Sequence, residues 1–415
     1  MIKKTGRTIY LDYAATTPVR PEVVRAMTPF WANNFGNPSA LYKLGLQAQE
    51  AVGNARNSVA SVLNCRPDEI VFTAGGSESI NLAILGAAKS FRKHNKTGGH
   101  IITSTIEHHA VLHAVDALAA EGFSVTKIGV DQEGFFKPEL IKKAIRPDTF
   151  LVSLMYANNE IGTIEPITEI GKLLKKINSD RSSALSPRLL FHTDACQAGG
   201  YIDIDVQKLH VDLLTLNGSK LYGPKQTGCL FVRKGAHLEP IIYGGGQEKN
   251  LRSGTENVPG IVGFATALTL AHEEQNKETQ RLEALRDYFI SRVEKSITHT
   301  KLNGPAIRAE KKKVPANTPA RLPNNINLSF ANVDGEALVI YLDAHNIAAA
   351  TGSACTSQST DPSHVLEAIG LSDAYIRGSI RFTLGKYTTK AELEFVVKTL
   401  SSLVAQQRKT TQQLL

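Results

Sequence analysis

Short apolar runs alternate with amphipathic stretches between residues 69 and 233, and this alternation constrains the fold more than any other feature of the sequence. Runs rich in β-branched and aromatic residues are typical of strands. They predict strands at residues 69–73, 101–104, 124–128, 150–156, 189–193, 211–216 and 228–233. Apolar residues at three-to-four spacing predict helices at residues 21–31, 44–63, 80–88, 110–121, 138–145 and 167–177. Because strands that alternate with helices build βαβ units, we predict an α/β fold with a mostly parallel sheet and helices on both faces.

The length of 415 residues exceeds what one hydrophobic core usually serves, so we expect two domains. A long amphipathic helix begins near residues 260–271 and runs to about residue 297. Beyond it, the patterns at residues 325–330, 335–342 and 380–384 outline a smaller α+β unit. We predict a large domain at residues 15–265 and a small C-terminal domain that also takes in the N-terminus, with residues 1–14 and 266–415.

The net charge of +8 raises the question of a nucleic-acid partner. The Lys and Arg residues are scattered, however, and the one tight cluster is the lysine run at 311–313, in a Pro-, Ala- and Lys-rich segment. An acidic substrate or partner explains the charge equally well. We therefore predict no nucleic-acid partner.

The predicted location is the cytoplasm. Four cysteines without a CxxC pair give neither a disulfide framework nor zinc-ligand spacing, which fits a reducing compartment. The N-terminal residues have no apolar core behind their positive charges, so they do not resemble a secretory signal. No apolar run approaches the roughly 18–20 residues of a membrane span, and we predict no membrane association.

A lysine follows directly on a predicted buried strand. Residues 214–220 read Leu-Thr-Leu-Asn-Gly-Ser-Lys, so Asn-Gly-Ser breaks the strand with turn chemistry and Lys220 stands at its carboxyl end. Open α/β sheets bind their ligands at that edge. Burial there lowers the pKa of a lysine amine and makes it a usable nucleophile. Taken alone, the segment is more typical of a surface lysine after a turn.

A second strand end carries a candidate anion site. Residues 74–79 read Ala-Gly-Gly-Ser-Glu-Ser, between a predicted strand and an apolar-faced helix. Free backbone N–H groups at a helix N-terminus bind anions, and Ser77 adds a hydroxyl donor. The segment is neither a Walker loop nor a GxGxxG fingerprint. A plain tight turn is the alternative for this segment alone.

The polar residues at successive strand ends should converge on one crevice. They are Gly76 and Ser77, His108 and His109, Asn158 and Asn159, Asp194 to Gln197, and Ser219 and Lys220. An amine, a carboxylate and an anion cradle are the groups that pyridoxal phosphate requires, for its Schiff base, its ring nitrogen and its phosphate. The histidines lack carboxylates at useful spacing, so we predict no metal site. A turn or capping role remains the alternative for Asp194.

Ordered motifs along nearly the whole chain resemble those of the cysteine desulfurases, in the branch used for nitrogen fixation and housekeeping iron–sulfur assembly. They are Leu-Asp-Tyr-Ala-Ala-Thr-Thr-Pro at 11–18, Gly-Asn-Pro-Ser at 36–39, Glu-His at 107–108, Asn-Asn-Glu-Ile-Gly at 158–162, Asp-Ala-Cys-Gln at 194–197, Arg-Ser-Gly-Thr at 252–255, Gly-Ser-Ala-Cys-Thr-Ser at 352–357 and Ser-Ile-Arg-Phe at 379–382. The resemblance implies the pyridoxal-phosphate transferase fold (fold type I), with the catalytic cysteine loop in the small domain.

The resemblance also implies a role for each matching residue. Lys220 would hold the cofactor as a Schiff base, Asp194 would pair with the ring nitrogen, and His108 would stack on the ring. The remaining cofactor-binding residues would be Gly76, Ser77, Asn159, Gln197, Asn217, Ser219 and Thr255. Thr255 would reach the phosphate of a neighbouring subunit, which implies a homodimer. Arg381 would bind the substrate carboxylate through its planar fork, with Asn159 beside it.

Cys355 would be the nucleophile of the implied reaction. Lys220, released by L-cysteine, would act as general base, and His108 is one candidate proton acceptor. The Cys355 thiolate would attack the substrate sulfur, which leaves a persulfide on the enzyme and gives alanine. A sulfur-acceptor protein would then be the partner, and a transient contact of Cys355 with a partner's iron–sulfur cluster is compatible with this role.

Two alternatives stay open at this point. One is a related pyridoxal-phosphate enzyme, such as a selenocysteine lyase, another C–S lyase or an aminotransferase; the other is a silent binding platform, although Lys220, Asp194 and Cys355 are all retained. The chain departs from the family in three places near the cofactor: Ser219 stands where histidine is usual, Asn217 where serine is common, and Cys196 where threonine is usual. Serine and asparagine can still donate to a phosphate.

Overall fold

The computed structural model describes residues 8–95, 98–181, 188–307, 320–352 and 362–413. The lysine cluster at 311–313 and Cys355 lie outside these ranges. In chain order the strands are β1 (Ile9–Tyr10), β2 (Ile70–Thr73), β3 (His100–Ser104), β4 (Ser124–Ile128), β5 (Thr149–Met155), β6 (Leu190–Asp194), β7 (Leu213–Asn217), β8 (Gly228–Val232), β9 (Thr300–Leu302), β10 (Asn325–Phe330), β11 (Ile347–Ala348) and β12 (Ser379–Thr383). The helices are α1 (Pro21–Met27), α2 (Pro29–Ala32), α3 (Lys43–Leu63), α4 (Gly76–His94), α5 (His109–Ala120), α6 (Pro138–Ala144), α7 (Ile167–Asp180), α8 (Val206–Leu209), α9 (Val258–Ser296), α10 (Gly335–Ala344), α11 (His364–Ala368), α12 (Asp373–Ile376) and α13 (Lys390–Gln413).

Within the described residues, seven strands form the main sheet in the order β2-β8-β7-β6-β5-β3-β4. The pairs from β4 through β3, β5 and β6 to β7 are parallel. Every residue of β5 and β6 is buried, as expected for central strands of a sheet that is covered on both faces. The predicted α/β fold with a mostly parallel sheet is confirmed.

The strand β8 runs antiparallel to both of its neighbours, β7 and β2. A parallel connection needs a crossover of about a dozen or more residues, which is longer than the segment between Asn217 and Gly228. The chain therefore turns back after Lys220 and pairs Asn217 with Gly228. This reversal places the turn that contains Lys220 at the edge where β6 and β7 end.

A smaller sheet has the order β12-β10-β9, with antiparallel pairs throughout. Its core includes Phe289, Phe330 and Phe382, all fully buried. The helix α9 joins both parts of the molecule, because Phe264 packs into the core of the main sheet and Phe289 into that of the smaller sheet. The strand β1 pairs in parallel with β11, so the N-terminal strand also joins the smaller unit.

Several predicted elements differ in detail from the structure. The helix predicted at residues 21–31 is divided into α1 and α2, because Pro29 opens a second helix. The helix predicted at residues 80–88 begins at Gly76 and continues to His94, so the Gly-Ser turn is its first turn. Of the helices that the structure describes, none combines the length and the apolar composition that would cross a membrane.

Candidate functional site

The carboxyl ends of the strands bring the predicted site residues to one edge of the main sheet. Gly76 begins α4 directly after β2, and His108 caps α5 after β3. Asn159 follows β5, Asp194 ends β6, and Lys220 follows β7. Because β2 and β7 both run antiparallel to β8, all five strand ends face the same side of the sheet.

The N-terminus of α4 forms a small cradle with donors directed into it. Gly76 and Ser77 are in the first turn, whose N–H groups have no acceptor within the helix. A Cβ atom on Gly76 would lie 2.8 Å from Cys196 Sγ and 3.5 Å from Asn217 Nδ2. The absence of a side chain at Gly76 therefore leaves space between the helix terminus, Cys196 and Asn217. Ser77 is exposed at the rim.

Asn217 and Ser219 continue this cradle on the other side. The Asn217 Oδ1 atom accepts hydrogen bonds from Ser219 N and Ser219 Oγ, both at 3.1 Å. The Nδ2 atom of Asn217 is thereby turned toward Gly76, as a phosphate donor would be. Asn217 and Ser219, two of the three departures from the family pattern, thus form one hydrogen-bonded unit.

Asp194 ends β6 with a carboxylate that is only 6% exposed. Its Oδ1 atom accepts a hydrogen bond of 2.9 Å from Cys196 N. Burial, with the Asp194 carboxylate next to it, holds the pKa of the Cys196 thiol well above its ordinary value. Cys196 is therefore a protonated thiol that packs under the cradle. The Gln197 Nε2 atom donates to Ala14 O at 3.1 Å, which joins this strand end to the N-terminal segment.

Lys220 lies in a short 3-10 turn, and its Nζ atom donates to the backbone oxygen of Ala15. The partly buried side chain is thus held near the N-terminal segment. Lys220 and Asp194 both influence the partly buried thiol of Cys196, which lies between them in the chain.

Arg381 and Asn159 form the side of the site next to the smaller sheet. The Arg381 side chain is buried and donates to Asp12 Oδ1 at 2.8 Å and to the Asn159 backbone oxygen at 3.0 Å. The buried Arg381 Nε atom has no hydrogen-bond partner among the described residues. The guanidinium group thus keeps one donor available beside Asn159.

His108 caps α5, and its Nδ1 atom accepts a hydrogen bond from Ala110 N at 3.1 Å. Its neighbour His109 packs 4.7 Å from His364 between ring centroids. Burial, together with the surrounding histidines, lowers the pKa of His109. Within the ranges that the structure describes, no group of three or more His, Cys, Asp or Glu side chains could hold a metal ion.

Two predicted site residues are not brought into this arrangement. Thr255 is exposed, in a segment fixed beside α4 by the ion pair between Arg252 Nε and Glu78 Oε1 at 2.9 Å. Cys355 lies outside the described residues. Gly352 and Ser363 stand before and after that segment, and the Ser363 hydroxyl donates to Glu160 Oε2 at 2.6 Å.

Sequence reasoning missed Thr17 and Glu107 as members of the site. The hydroxyl group of Thr17 bonds to both sides of the Lys220 turn. Glu107 is fully buried next to His108. Both residues stand inside motifs that carry the resemblance, at 11–18 and 107–108, but only the folded chain shows what they contact.

The chemistry of these residues fits pyridoxal phosphate. The glycine cradle at a helix N-terminus suits a phosphate. The Asp194 carboxylate and the Lys220 amine belong to neighbouring strands, as a ring nitrogen and a Schiff-base carbon require.

The comparisons with known proteins agree with this chemistry. The profile of the family described as aminotransferase class V matches residues 9–396. The chain belongs to this class-V aminotransferase family. The cysteine desulfurase IscS of Dictyoglomus turgidum is 48% identical over 402 residues, which cover 97% of this chain and 96% of that protein. The corresponding protein of Methanosarcina thermophila is 44% identical, with 98% and 94% covered.

Solved structures show the same similarity. A NifS-like protein superposes with a TM-score of 0.86 at 36% identity and covers 96% of this chain and 100% of its own. The structure of SspA in complex with cysteine has a TM-score of 0.75 at 37% identity, with 92% and 100% covered. The predicted family and the predicted fold class are confirmed.

Proposed function

We propose that this class-V enzyme is a cysteine desulfurase that converts L-cysteine to L-alanine and holds the released sulfur as a persulfide on Cys355. The observation that carries the proposal is the placement of Lys220 and Asp194 at the ends of adjacent strands, beside the cradle at Gly76. The curated relatives that share nearly the full length of the chain carry the name cysteine desulfurase.

Pyridoxal phosphate, when bound, would supply an electron sink for the charge that develops at the substrate α-carbon. Asp194 would hold the proton on the ring nitrogen, since its carboxylate is buried and directed to that edge. The Gly76 and Ser77 N–H groups and Asn217 would hold the phosphate. Lys220 would first anchor the cofactor and then accept the α-proton at Nζ.

Arg381 would orient the substrate. Its side chain is buried, and its Nε atom is without a hydrogen-bond partner among the described residues. A substrate carboxylate would satisfy this donor, in a charge-assisted bond that fixes the amino acid beside Asn159. The ion pair with Asp12 holds the guanidinium plane while the substrate enters.

Glu160 supports the proposed position of Cys355 at the site. The Ser363 hydroxyl bonds to Glu160 Oε2, and a Cβ atom on Gly352 would lie 3.2 Å from the same oxygen. Gly352 and Ser363, on either side of the segment that contains Cys355, thus both lie next to Glu160, which follows Asn159 in the chain.

In the sulfur-transfer step, the Cys355 thiolate attacks the sulfur of the substrate. An S–S bond forms, the substrate C–S bond breaks, and a proton on the former sulfur-bearing carbon completes alanine. One L-cysteine and one enzyme thiol thus give one alanine and one persulfide, with no external oxidant. A sulfur-acceptor protein would then regenerate the thiol.

A homodimer in the cytoplasm is part of the proposal. Large apolar side chains are exposed in the segment that leads into α3, where Leu41 is 90% exposed and Phe35 67%. Exposed apolar groups so close together are typical of a protein interface. Thr255, exposed near α4, would reach the partner's phosphate site across such an interface. Light scattering of the purified protein tests the dimer.

The decisive experiment measures sulfide and alanine released from L-cysteine, with selenocysteine assayed alongside. We expect a purified yellow protein whose visible absorption band is lost in Lys220→Ala. Cys355→Ser should keep the band but release no sulfide. A wild-type protein that stays colourless with added pyridoxal phosphate would contradict the proposed function, and full sulfide release by Cys355→Ser would remove Cys355 from it.

A further inference from the structure

The hydroxyl group of Thr17 joins the two sides of the turn that contains Lys220. Thr17 Oγ1 donates to the backbone oxygen of Ser219 at 2.9 Å and accepts a hydrogen bond from Tyr222 N at 2.8 Å. The Thr17 N–H group donates to the same Ser219 oxygen at 2.8 Å. Ser219 is the residue before Lys220, and Tyr222 is the second residue after it. Thr17 therefore binds the backbone on each side of the lysine.

This turn needs an external constraint. Tyr222 has a φ of +60°, in the left-handed region that non-glycine residues rarely adopt. Its N–H group is bonded by Thr17 Oγ1, and its carbonyl accepts a hydrogen bond from Arg20 N at 3.0 Å. Such a backbone conformation persists when the surrounding structure fixes it. Here the constraint comes from a segment about 200 positions earlier in the chain.

The same segment also touches the reactive groups. Ala15 O accepts the Lys220 Nζ hydrogen bond, and Ala14 O accepts the one from Gln197 Nε2. Thr17 is 1% exposed, so its hydroxyl is shielded from water that could replace these bonds. Ala15 and Thr17 thus fix the position of Lys220, Ala15 at the amine and Thr17 at the backbone.

We propose that Thr17 is a positioning residue for Lys220: its hydroxyl holds the lysine turn in the geometry that both cofactor capture and proton transfer require. The inference rests on the proposed function, since it concerns the reaction in which Lys220 takes part. A hydroxyl group has one donor and two acceptor positions, and here it uses one of each toward the turn. Valine has the same shape but offers neither.

The test compares Thr17→Val, Thr17→Ser and Thr16→Val with the wild-type holoenzyme. Thr16 is the matched control, because its Oγ1 atom is buried without a hydrogen-bond partner among the described residues. We expect Thr17→Val to lower kcat for alanine formation roughly 10- to 100-fold with little change in KM, as a displaced catalytic group does. Thr17→Ser should recover most of the rate, and Thr16→Val should match the wild type.

A second readout is independent of turnover. After removal of the cofactor, we expect Thr17→Val to regain the visible absorption band more slowly than Thr16→Val when pyridoxal phosphate is added. Thermal unfolding of each variant shows whether it is folded, and Thr17→Ala replaces Thr17→Val if the valine variant does not fold.

The outcomes separate the two proposals. A wild type without colour or alanine production defeats the proposed function itself. If the wild type is active, three results refute the positioning role. They are a wild-type kcat in Thr17→Val, a decrease in kcat in Thr17→Ser as large as in Thr17→Val, and a decrease in kcat in Thr16→Val as large as in Thr17→Val.

Discussion

Glu107 carries a buried carboxyl group whose proton the fold retains near neutral pH. Ser104 Oγ and Met155 N donate to its Oε1 atom at 2.6 and 3.0 Å, whereas its buried Oε2 atom has no hydrogen-bond partner among the residues described. Burial raises the pKa of Glu107 from 4.5 to about 8, against the smaller opposing effect of these bonds. Glu107 is therefore uncharged near neutral pH and does not add a second negative charge near Asp194.

The pKa of Glu107 predicts how stability depends on pH. Because the folded state binds this proton more tightly than the unfolded chain, the wild type loses stability as the pH rises from 4.5 to about 8. Glu107→Gln cannot ionise, so its free energy of unfolding relative to the wild type should rise across this interval. Urea unfolding of both proteins at several pH values measures the difference. A constant difference between pH 5 and 9 would show that Glu107 titrates normally.

At the scale of elements, the first turn of α4 depends on the absence of a side chain at Gly76. A Cβ atom there would lie 2.8 Å from Cys196 Sγ, at the floor of the cradle. Gly76→Ala should weaken pyridoxal phosphate binding roughly tenfold, because overpacking displaces the helix terminus from the phosphate. Adding Cys196→Ala removes the obstructing sulfur and should restore part of the affinity. Equilibrium titration of the apoprotein, followed by absorbance, tests both expectations; equal affinity in wild type and Gly76→Ala would contradict this account.

Gly53 in helix α3 has open space where a side chain would lie, unlike Gly76. A Cβ atom on Gly53 would meet nothing within 4 Å, in the middle of this helix. Gly53→Ala should therefore stabilise the protein by about 0.5–1 kcal/mol, since alanine loses less backbone entropy on helix formation. Denaturant unfolding gives the change, and activity should remain at the wild-type value. A destabilised Gly53→Ala protein would mean that this face of α3 is covered.

At the scale of the molecule, we propose that the main sheet and the smaller sheet form two domains, divided as the sequence predicts at residues 15–265 on one side and 1–14 with 266–415 on the other. The smaller sheet has its own core and α9 contributes to both cores, while Val365, Leu366 and Ile369 from the C-terminal part pack into the core of the main sheet. Glu274, within α9, bonds to Arg20 Nη1 at 2.8 Å and to Lys386 Nζ at 2.6 Å. The Glu274 carboxylate therefore links the long helix α9 to Arg20 near the N-terminus and to Lys386 near the smaller sheet.

Glu274→Gln should lower the free energy of unfolding by about 1 kcal/mol at neutral pH. The expected loss is small because the carboxylate is partly exposed and water screens its ion pairs. The hydrogen bond from Arg20 lowers the pKa of Glu274, so the stabilisation is present above its ordinary pKa and is lost as the pH falls below it. The difference between wild type and variant should accordingly shrink toward pH 4. Calorimetry at pH 7 and pH 4 measures it, and a difference that does not change with pH would exclude this ion pair as its cause.

The sequence by itself determined the fold class, the family and the approximate position of most helices and strands. Apolar periodicity and turn residues act over a few neighbouring positions, so the strands β4 and β10 have the predicted bounds, and the Asn-Gly-Ser turn before Lys220 is where it was expected. The ordered motifs were sufficient to recognise the family. These features are local, or are shared with relatives in the same order.

Only the tertiary structure decided which distant segments meet. The pairing of β1 with β11, the insertion of β8 between β2 and β7, and the bonds from Thr17 to the Lys220 turn each join positions far apart in the chain. Such contacts depend on the sum of many packing interactions, and no local pattern encodes them. Sequence placed Lys220 at the end of a strand; the fold determined that Ala15 and Thr17 hold it there.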